Sequence, residues 1–525
     1  MKARFLLLGL DGAEPSLVER WMEEGRLPNL ARMRRQGAYM RCSSVTPPVT
    51  YPAWTTCVTG VNPGKHGIFD FTEMVPGSYA LRFVNSTFRR VPALWNILSD
   101  AGKRVCVLGV PGTYPPEKVN GIMVAGFDSP VATAVERSSV YPASIYDTVK
   151  DWRYADFQEH DIGPGWHAMA LARLLEGIAT KERIATTLLA REPWDFFMIV
   201  FGEADTGSHH FWLFHDPNSP RHKPGPQDAI RQIYERLDCA VGSIVKVAGE
   251  DVVVGICSDH GFGGAGDGVV HLNNWLAEQG ELRFAPQRSG GLKRAALSLV
   301  PPRFRGLLFR RFGAMAARAE SASRFSGIDW SGTRAWSDEL NYFPSIRVNL
   351  QGREPKGQVA PQDYESYCKD LCARLEQWHV VRKAWRREEL YDGPYIDRAP
   401  DIILELAIEN GYSYTCLRSR GGPAFRRLTP DEHMGGKERG TTGVHRSHGI
   451  LFLSKPTVVG ASKLEDVAPT VLGELGVASP PMDGTSLLTP TQPLATHTHD
   501  RAQEVYSPEQ ERRIEQRLRD LGYFE

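Results

Sequence analysis

Three apolar runs of this 525-residue chain are each followed closely by an aspartate, and two of them also by a histidine. A fourth apolar run is preceded by two histidines. The residues concerned are Asp11 after residues 5–10, Asp205 and His209 after residues 196–202, Asp259 and His260 after residues 251–257, and His445 and His448 before residues 449–453. Carboxylates and imidazoles are the side chains that most often hold divalent metals and move protons.

A divalent metal explains this grouping better than a purely structural role. Clustered carboxylates repel one another, and a bound cation removes that repulsion. Carboxylate and imidazole ligands without a thiolate suit zinc, manganese or iron more than calcium. Taken singly, each residue has a plainer explanation, because an aspartate at a strand end is often a turn or helix-cap residue. Asp205 and His209 are four residues apart and are expected on a loop.

Thr50 is a candidate of another kind. It stands in the segment TPPVTYPAWTTCVTG, residues 46–60, just before a predicted helix over residues 53–59 that Gly60 closes. The dipole at a helix N-terminus favours negative charge. A hydroxyl held there against a metal can ionise and act as a nucleophile. Threonine is also a good N-cap residue, and the residues alone leave both roles open.

The elements that must position these residues alternate between strands and helices. Fully apolar runs such as residues 103–110 and 251–257 are separated by helical patterns over roughly residues 165–191 and 226–248. This alternation predicts an α/β fold with a doubly wound, mostly parallel central sheet flanked by helices. Residues 401–406 are a further predicted strand. In such sheets, sites form outside the carboxyl ends of the strands, where the acids and histidines stand.

Composition excludes several classes of protein. Lys and Arg together number 62, as do Asp and Glu, so the chain has no excess of positive charge. A nucleic acid polymer is therefore not expected as a partner. The chain contains no run of about 18 apolar residues, so no transmembrane helix is expected. Residues 5–10 are too short for a signal peptide core and predict a buried strand. The eight cysteines are scattered, which indicates reduced thiols and a cytoplasmic location.

The predicted domains follow changes in composition. Residues 1–284 and 331–487 are expected to form the catalytic core, and residues 285–330 a strongly basic insertion that caps it. The insertion is either a solvated lid or a surface that attracts an anionic substrate or a membrane. Residues 488–525 are expected to form a linker and a short C-terminal helix.

Six segments of the chain form a familiar set. They are LLLGLDG, LPNLARMRRQGA, TPPVTYPAWTTCVTGVNPGKHGI, EADTGSHHFW, CSDHGF and GVHRSHGI. In this order, and with most of residues 3–487 covered, the chain resembles the alkaline phosphatase superfamily. Within it, the chain is most similar to the type I phosphodiesterase/nucleotide pyrophosphatase group. The resemblance implies an alkaline phosphatase-like fold and two divalent metal ions, usually zinc.

The same resemblance implies a role for each candidate residue. The implied ligands are Asp205, His209 and His445 for one metal, and Asp11, Asp259 and His260 for the other. Thr50 is the implied nucleophile and bridges toward both metals. His445 is preferred to His448 because the family has a Gly-x-His pattern shortly before the Gly-Ile strand.

We therefore expect metal-dependent hydrolysis of phosphodiester or pyrophosphate bonds in a small phosphorylated substrate, through a phosphothreonine on Thr50. Phe71 departs from the family, because nucleotide pyrophosphatases have an asparagine there that donates to a phosphate oxygen. Lys65 or an arginine of residues 285–330 could supply that donor instead. The alternatives are a phosphomonoesterase, a phosphotransferase and, in a different class, a catalytically silent binding protein.

Overall fold

The structure is a computed structural model that describes residues 3–126, 135–154, 162, 165–285, 325, 327–339, 343–419, 421–434, 441–457 and 460–489. Nearly all of the expected basic cap, residues 285–330, lies outside the described residues, as does nearly all of the expected linker and C-terminal helix, residues 488–525. These segments, the membrane contact considered for the cap, and the domain boundaries stay predictions.

The strands and helices of the described residues fall into two sets. The strands are β1 (Ala3–Leu10), β2 (Ala38–Ser43), β3 (Thr72–Met74), β4 (Leu81–Phe83), β5 (Val105–Val110), β6 (Gly121–Ala125), β7 (Val140–Tyr141), β8 (Trp194–Phe201), β9 (Val253–Cys257), β10 (Gly261–Val270), β11 (Ala335–Trp336), β12 (Ser345–Val348), β13 (Val381–Arg386), β14 (Ile402–Leu406), β15 (Ile408–Glu409), β16 (Tyr412–Cys416), β17 (Phe425–Arg427), β18 (Gly443–Arg446), β19 (His448–Leu453) and β20 (Ser462–Lys463). The helices are α1 (Pro15–Glu23), α2 (Pro28–Gln36), α3 (Thr50–Thr59), α4 (Pro63–His66), α5 (Leu94–Asp100), α6 (Tyr146–Val149), α7 (Trp166–Arg191), α8 (Glu203–His215), α9 (Ala229–Ala248), α10 (Leu272–Glu278), α11 (Tyr364–Glu376), α12 (Arg387–Leu390) and α13 (Val467–Glu474).

The largest sheet has the strand order β20-β2-β19-β9-β1-β8-β5-β6-β7. Its middle strands, from β9 through β1, β8 and β5 to β6, are all parallel. Strand β19 is antiparallel to both β9 and β2, and β7 is antiparallel to β6. The sheet is therefore mixed with a parallel middle, and the prediction of an α/β fold is confirmed.

Helices cover both faces of this sheet because β1 is apolar on both sides. Leu6 and Leu8 belong to an apolar cluster that also contains residues of α1, α7 and α9. Phe5 and Leu7 belong to a second cluster, with residues of α3, α5 and α13. Successive side chains of a strand point to opposite faces. A continuous apolar run is therefore stable only where both faces are covered, as the sequence predicted.

A separate sheet, in the order β11-β12-β14-β13, is antiparallel. It has an apolar cluster of its own, in which Trp336 and Leu404 lie with Leu371 of α11. The strand predicted at residues 401–406 is β14 of this sheet and takes no part in the central sheet. Its apolar pattern predicted a buried strand correctly but contained no information about the partner strands.

Strand β10 lies outside the central sheet, where it pairs with β16, β17 and β18. This pairing bears on the candidate site because β10 begins directly after His260 and β18 contains His445. Among the helices of the described residues, none is long and apolar enough to cross a membrane.

Candidate metal centre

The parallel pairing of the middle strands brings three candidate segments to one edge of the sheet. Leu10 at the end of β1 pairs with Phe201 at the end of β8, and Gly9 pairs with Cys257 at the end of β9. The residues that follow these strands therefore start side by side. Because the three strands are parallel, this is the carboxyl edge at which the sequence predicted the site.

Asp205 and His209 lie on a helix, so the expectation of a loop was wrong. Helix α8 begins at Glu203, two residues after β8 ends. A spacing of four residues puts both side chains on the same helical face, and His209 Nε2 is 3.5 Å from Asp205 Oδ1. Asp205 also lies in the first turn, where the helix dipole favours a carboxylate.

His445 reaches the same place from strand β18. It pairs with Phe262 of β10, and its ring stacks on that of His260 with centroids 3.5 Å apart. Its Nε2 lies 3.0 Å from Asp205 Oδ1. His448 is exposed at the start of β19 and pairs with Ser43 instead. The structure thus brings His445, and not His448, to the other candidates.

The first set of donors has the spacing of ligands around one small cation. His209 Nε2 lies 3.1 Å from His445 Nε2, and the distances of these nitrogens from Asp205 Oδ1 are 3.5 and 3.0 Å. A tetrahedral zinc with ligands at about 2.0–2.1 Å separates its donors by about 3.4 Å. The edges of this triangle therefore fit one metal.

The second set of donors converges on His260. Its Nε2 lies 3.2 Å from Asp259 Oδ2 and 3.7 Å from Asp11 Oδ1. It is also 4.0 Å from Asp205 Oδ1. The ligand atoms of Asp11, Asp259 and His260 all lie within 4.8 Å of one another, as do those of Asp205, His260 and His445. His260 therefore stands where the two sets meet.

The carboxylates leave one oxygen each directed at this centre. Asp11 Oδ2 accepts a hydrogen bond from Trp54 Nε1 at 3.0 Å, and Asp259 Oδ1 accepts one from the Gly12 backbone N–H at 3.2 Å. Asp11 Oδ1, Asp205 Oδ1 and Asp259 Oδ2 are buried and have no hydrogen-bond donor among the described residues. Buried acceptors left in this state are costly, and divalent cations would satisfy all three.

The histidines are also prepared as ligands. The Nδ1 atoms of His209, His260 and His445 lie 2.8, 3.1 and 2.8 Å from the backbone carbonyls of Gly443, Gly261 and Pro48. A carbonyl only accepts, so each Nδ1 carries the proton and each Nε2 keeps its lone pair. Such an outer hydrogen bond is the usual partner of a metal-bound imidazole. The residues present therefore fit divalent metal ions.

Burial shifts the pKa values of candidate ligands in both sets. It raises the pKa of Asp11 and of Asp259 well above the ordinary value, and the neighbouring carboxylates raise both further. Burial also lowers the pKa of His209 to about 4 and that of His260 well below its ordinary value. Neutral imidazoles and crowded carboxylates are the forms that a cation stabilises.

Thr50 is the first residue of α3 and is not its N-cap. The N-cap is Val49, and no side chain caps the helix. The N-cap role considered from the sequence is therefore wrong. The hydroxyl is buried, and its Oγ1 lies 3.4 Å from His260 Nε2. A hydroxyl at a helix N-terminus, beside a candidate ligand, has the surroundings that lower its pKa once a cation is bound.

Two further residues were considered from the sequence. The ring centroid of Phe71 lies 4.3 Å from that of Tyr51, the neighbour of Thr50, which places this aromatic side chain near the start of α3. The ammonium of Lys65 pairs with Asp483 and lies 3.5 Å from Asp392. It is therefore already engaged by carboxylates, which disfavours it as the missing donor.

The sequence reasoning missed Trp54 and the Gly12 backbone, which donate hydrogen bonds to the candidate ligands Asp11 and Asp259. In the structure Trp54 lies four residues after Thr50 on the same side of α3, but the helix predicted from the sequence began only at residue 53, so this spacing could not be recognised. No local signal was available for Gly12, because its contact with Asp259 depends on the pairing of β1 with β9.

The fold and the site together define an alkaline phosphatase-like α/β protein with a candidate metal centre at the carboxyl edge of its sheet. The family model for type I phosphodiesterase/nucleotide pyrophosphatase matches residues 5–445. The chain belongs to this family and is a hydrolase of phosphoric ester bonds. The resemblance found in the sequence is thus confirmed.

Two solved structures of phosphonoacetate hydrolase share this fold. The chain is 15% identical to phosphonoacetate hydrolase from Sinorhizobium meliloti 1021 in complex with phosphonoformate, with a TM-score of 0.53 over 91% of this chain and 96% of that one. The same hydrolase in complex with phosphonoacetate is 16% identical to this chain, with a TM-score of 0.51 over 91% of this chain and 96% of that one. Human ectonucleotide pyrophosphatase/phosphodiesterase 5 is 14% identical to this chain, with a TM-score of 0.49 over 92% of this chain and 97% of that one. No curated protein sequence is significantly similar to this chain.

Proposed function

We propose that this chain hydrolyses phosphodiester or pyrophosphate bonds in small phosphorylated substrates, with Thr50 as nucleophile and two divalent cations as cofactors. The observation that carries the proposal is the 3.4 Å separation of Thr50 Oγ1 from His260 Nε2. It sets a buried hydroxyl beside a candidate metal ligand at a helix N-terminus. Membership of the family favours these bonds over the phosphomonoesterase and phosphotransferase alternatives.

Two sets of side chains would hold the cations. They are Asp205, His209 and His445 for one, and Asp11, Asp259 and His260 for the other. The short donor–donor distances of the first set and the donor-free oxygens of the second support this assignment. Zinc is our first choice because it takes carboxylate oxygen and imidazole nitrogen in compact sites. Manganese and iron accept the same donors.

The proposed reaction has two displacement steps. When bound, the cations lower the pKa of the Thr50 hydroxyl and offset charge on the phosphoryl oxygens. Thr50 Oγ1 gives up its proton to water and attacks phosphorus in line with the leaving oxygen. The bond from phosphorus to the leaving oxygen breaks as the phosphoryl-bearing group becomes bonded to Oγ1, and the leaving oxygen takes up a proton from water. The N-terminus of α3 favours the negative charge at this position. Water then attacks the same phosphorus, the bond from phosphorus to Oγ1 breaks, and Oγ1 takes up a proton from the attacking water, so that Thr50 recovers its hydroxyl.

Exposure indicates the side from which the substrate arrives. The side chains of Asp205 and His209 are 21% and 14% exposed, whereas those of Asp11 and His260 are 2% and 0% exposed. The substrate therefore reaches the centre past Asp205 and His209.

The eight cysteines are all free thiols, which supports the further proposal that the enzyme works in the cytoplasm.

Metal analysis and a substrate panel test this proposal together. The purified protein should contain close to two divalent cations per chain, and a chelator should abolish turnover. In a panel of aryl phosphate monoesters and diesters, the diesters should give the higher kcat/KM. Turnover that survives complete removal of the metals contradicts the proposed mechanism, and a preference for monoesters contradicts the proposed substrate class.

A further inference from the structure

Trp54 is a buried residue of the nucleophile helix that also touches the metal centre. It lies one turn after Thr50 on α3, and its side chain is inaccessible to solvent. Its indole Nε1 donates to Asp11 Oδ2 at 3.0 Å. Residues four apart share a helical face. The face of α3 that presents the Thr50 hydroxyl to His260 therefore also presents the indole to Asp11.

The strand before Asp11 is shaped to receive this indole. A Cβ atom at Gly9 would lie 2.5 Å from Trp54 Cη2 and 2.8 Å from Val200 Cγ2. Neither distance is possible without displacing a side chain. Glycine at this place in β1 therefore lets the indole approach the strand closely, two residues before the aspartate that it holds.

The hydrogen bond divides the work of the two Asp11 oxygens. Oδ2 is occupied by Trp54, whereas Oδ1 is buried, has no donor among the described residues and lies 3.7 Å from His260 Nε2. With Oδ2 engaged by the indole, Oδ1 is the Asp11 oxygen that is left for a cation. The carboxylate group also cannot rotate without breaking a buried hydrogen bond, and leaving the indole N–H buried without its acceptor is unfavourable.

We propose that Trp54 is a positioning residue that keeps Asp11 as a one-oxygen ligand and fixes the nucleophile helix against the metal centre. This inference rests on the proposed two-metal function. It goes beyond that function because it assigns the geometry of one metal site to a residue that touches neither metal nor substrate. It also links Thr50 and Asp11, which lie on separate elements, through one side chain of α3.

Zinc titration of the metal-stripped protein tests the inference. Binding is measured in competition with a chromophoric chelator, and folding is checked by circular dichroism. The wild-type chain should bind two zinc ions tightly. Trp54→Phe keeps the ring but removes the donor, and it should weaken one of the two sites by about 10–100-fold, the usual effect of losing an outer partner of a ligand. The other site should be unchanged.

Two companion variants separate positioning from simple loss of packing. Trp95→Phe is the matched control, because Trp95 is equally buried in the same apolar cluster and its Nε1 donates to Glu117 at 2.6 Å. It should lower the melting temperature but leave both zinc affinities intact. Gly9→Ala leaves the indole in the chain but displaces it, and should weaken the same single site as Trp54→Phe. It also decides the question if Trp54→Phe does not fold.

The outcomes distinguish the inference from the function on which it rests. If the wild-type chain binds fewer than two zinc ions, the proposed metal centre is wrong. If wild type binds two and Trp54→Phe or a folded Gly9→Ala binds both with unchanged affinity, Trp54 is only a packing residue. Equal weakening of both sites also contradicts the inference, since general loosening of the fold is not selective.

Discussion

His445 Nε2 lies 3.0 Å from Asp205 Oδ1. This contact brings together strand β18, at the end of the segment that the family model matches, and helix α8, near the middle of that segment. His448, three residues further on, is exposed and pairs with the outer strand β2. The two histidines of one short motif therefore have separate surroundings, and we propose that only His445 is a metal ligand.

His445→Ala should lose metal, whereas His448→Ala should not. The loss of a direct ligand should weaken metal affinity by more than the roughly 10–100-fold that follows the loss of an outer hydrogen-bond partner. Elemental analysis of the folded variants and zinc titration give the comparison. His448→Ala is the matched control because it removes the same side chain from the same segment. Equal metal loss in both variants would refute the assignment of His445.

Asp259→Asn should lower the bound metal and yet not destabilise the metal-free protein. Burial raises the pKa of Asp259 in the folded chain. The folded state therefore binds the proton more tightly than the unfolded state, and its stability falls as pH rises above about 4. Asparagine removes that loss and can still accept from the Gly12 backbone.

Melting curves of the metal-free wild type and Asp259→Asn at several pH values check this sign. The difference in melting temperature, variant minus wild type, should increase from acid to neutral pH. A purely structural aspartate predicts the opposite result: a less stable variant at neutral pH with unchanged metal stoichiometry. His260→Ala should likewise lower the metal content in elemental analysis.

Phe71→Asn should raise kcat/KM for aryl phosphodiesters. An oxyanion donor contributes about 10²–10³ to turnover where it is well placed, so an imperfectly placed amide should still give an increase of about 10-fold. Phe71→Leu is the control, because it removes the ring contact with Tyr51 without adding a donor. If leucine and asparagine have the same effect, the amide is irrelevant and the ring alone controls access.

Lys181→Met should destabilise the protein strongly. Lys181 Nζ lies 2.7 Å from Glu203 Oε1 in an ion pair whose side chains are 4% and 1% exposed. Removal of the cation leaves a buried charge, which costs about 3–5 kcal/mol. Urea unfolding of the metal-free protein measures the loss.

A surface pair two residues further along the same helix supplies the comparison. Arg183 and Asp151 are 57% and 56% exposed, so Arg183→Met should change the free energy of unfolding by no more than about 1 kcal/mol. Similar losses in the two variants would show that the buried pair is not special.

The middle of the sheet could be read from the sequence because apolar runs without alternation indicate strands covered on both faces. That inference placed Asp11, Asp205 and Asp259 at one edge before any pairing was known. What the residues could not give was the partner of each strand. Residues 401–406 predicted a strand correctly, but only long-range pairing assigns them to the separate antiparallel sheet as β14.

The site was predicted through ligand types, and the missing parts concern contacts between elements. The motif around Asp205 was compatible with a loop, and the helix became evident only from the α8 backbone. The sequence around Thr50 was compatible with an N-cap, but in the structure the N-cap of α3 is Val49. The Trp54 hydrogen bond requires that α3 packs on β1, a tertiary contact that no local pattern contains.

The central claim is that Thr50 carries the phosphoryl-bearing group between the two steps. Acid quenching during turnover of an aryl phosphodiester, followed by proteolysis and mass spectrometry, tests it directly. The account predicts an adduct on the peptide that contains Thr50. It also predicts that Thr50→Ala forms none and loses several orders of magnitude in kcat, with its metal content unchanged. No adduct in wild type, together with a Thr50→Ala variant that keeps more than about a tenth of the wild-type rate, would contradict the account.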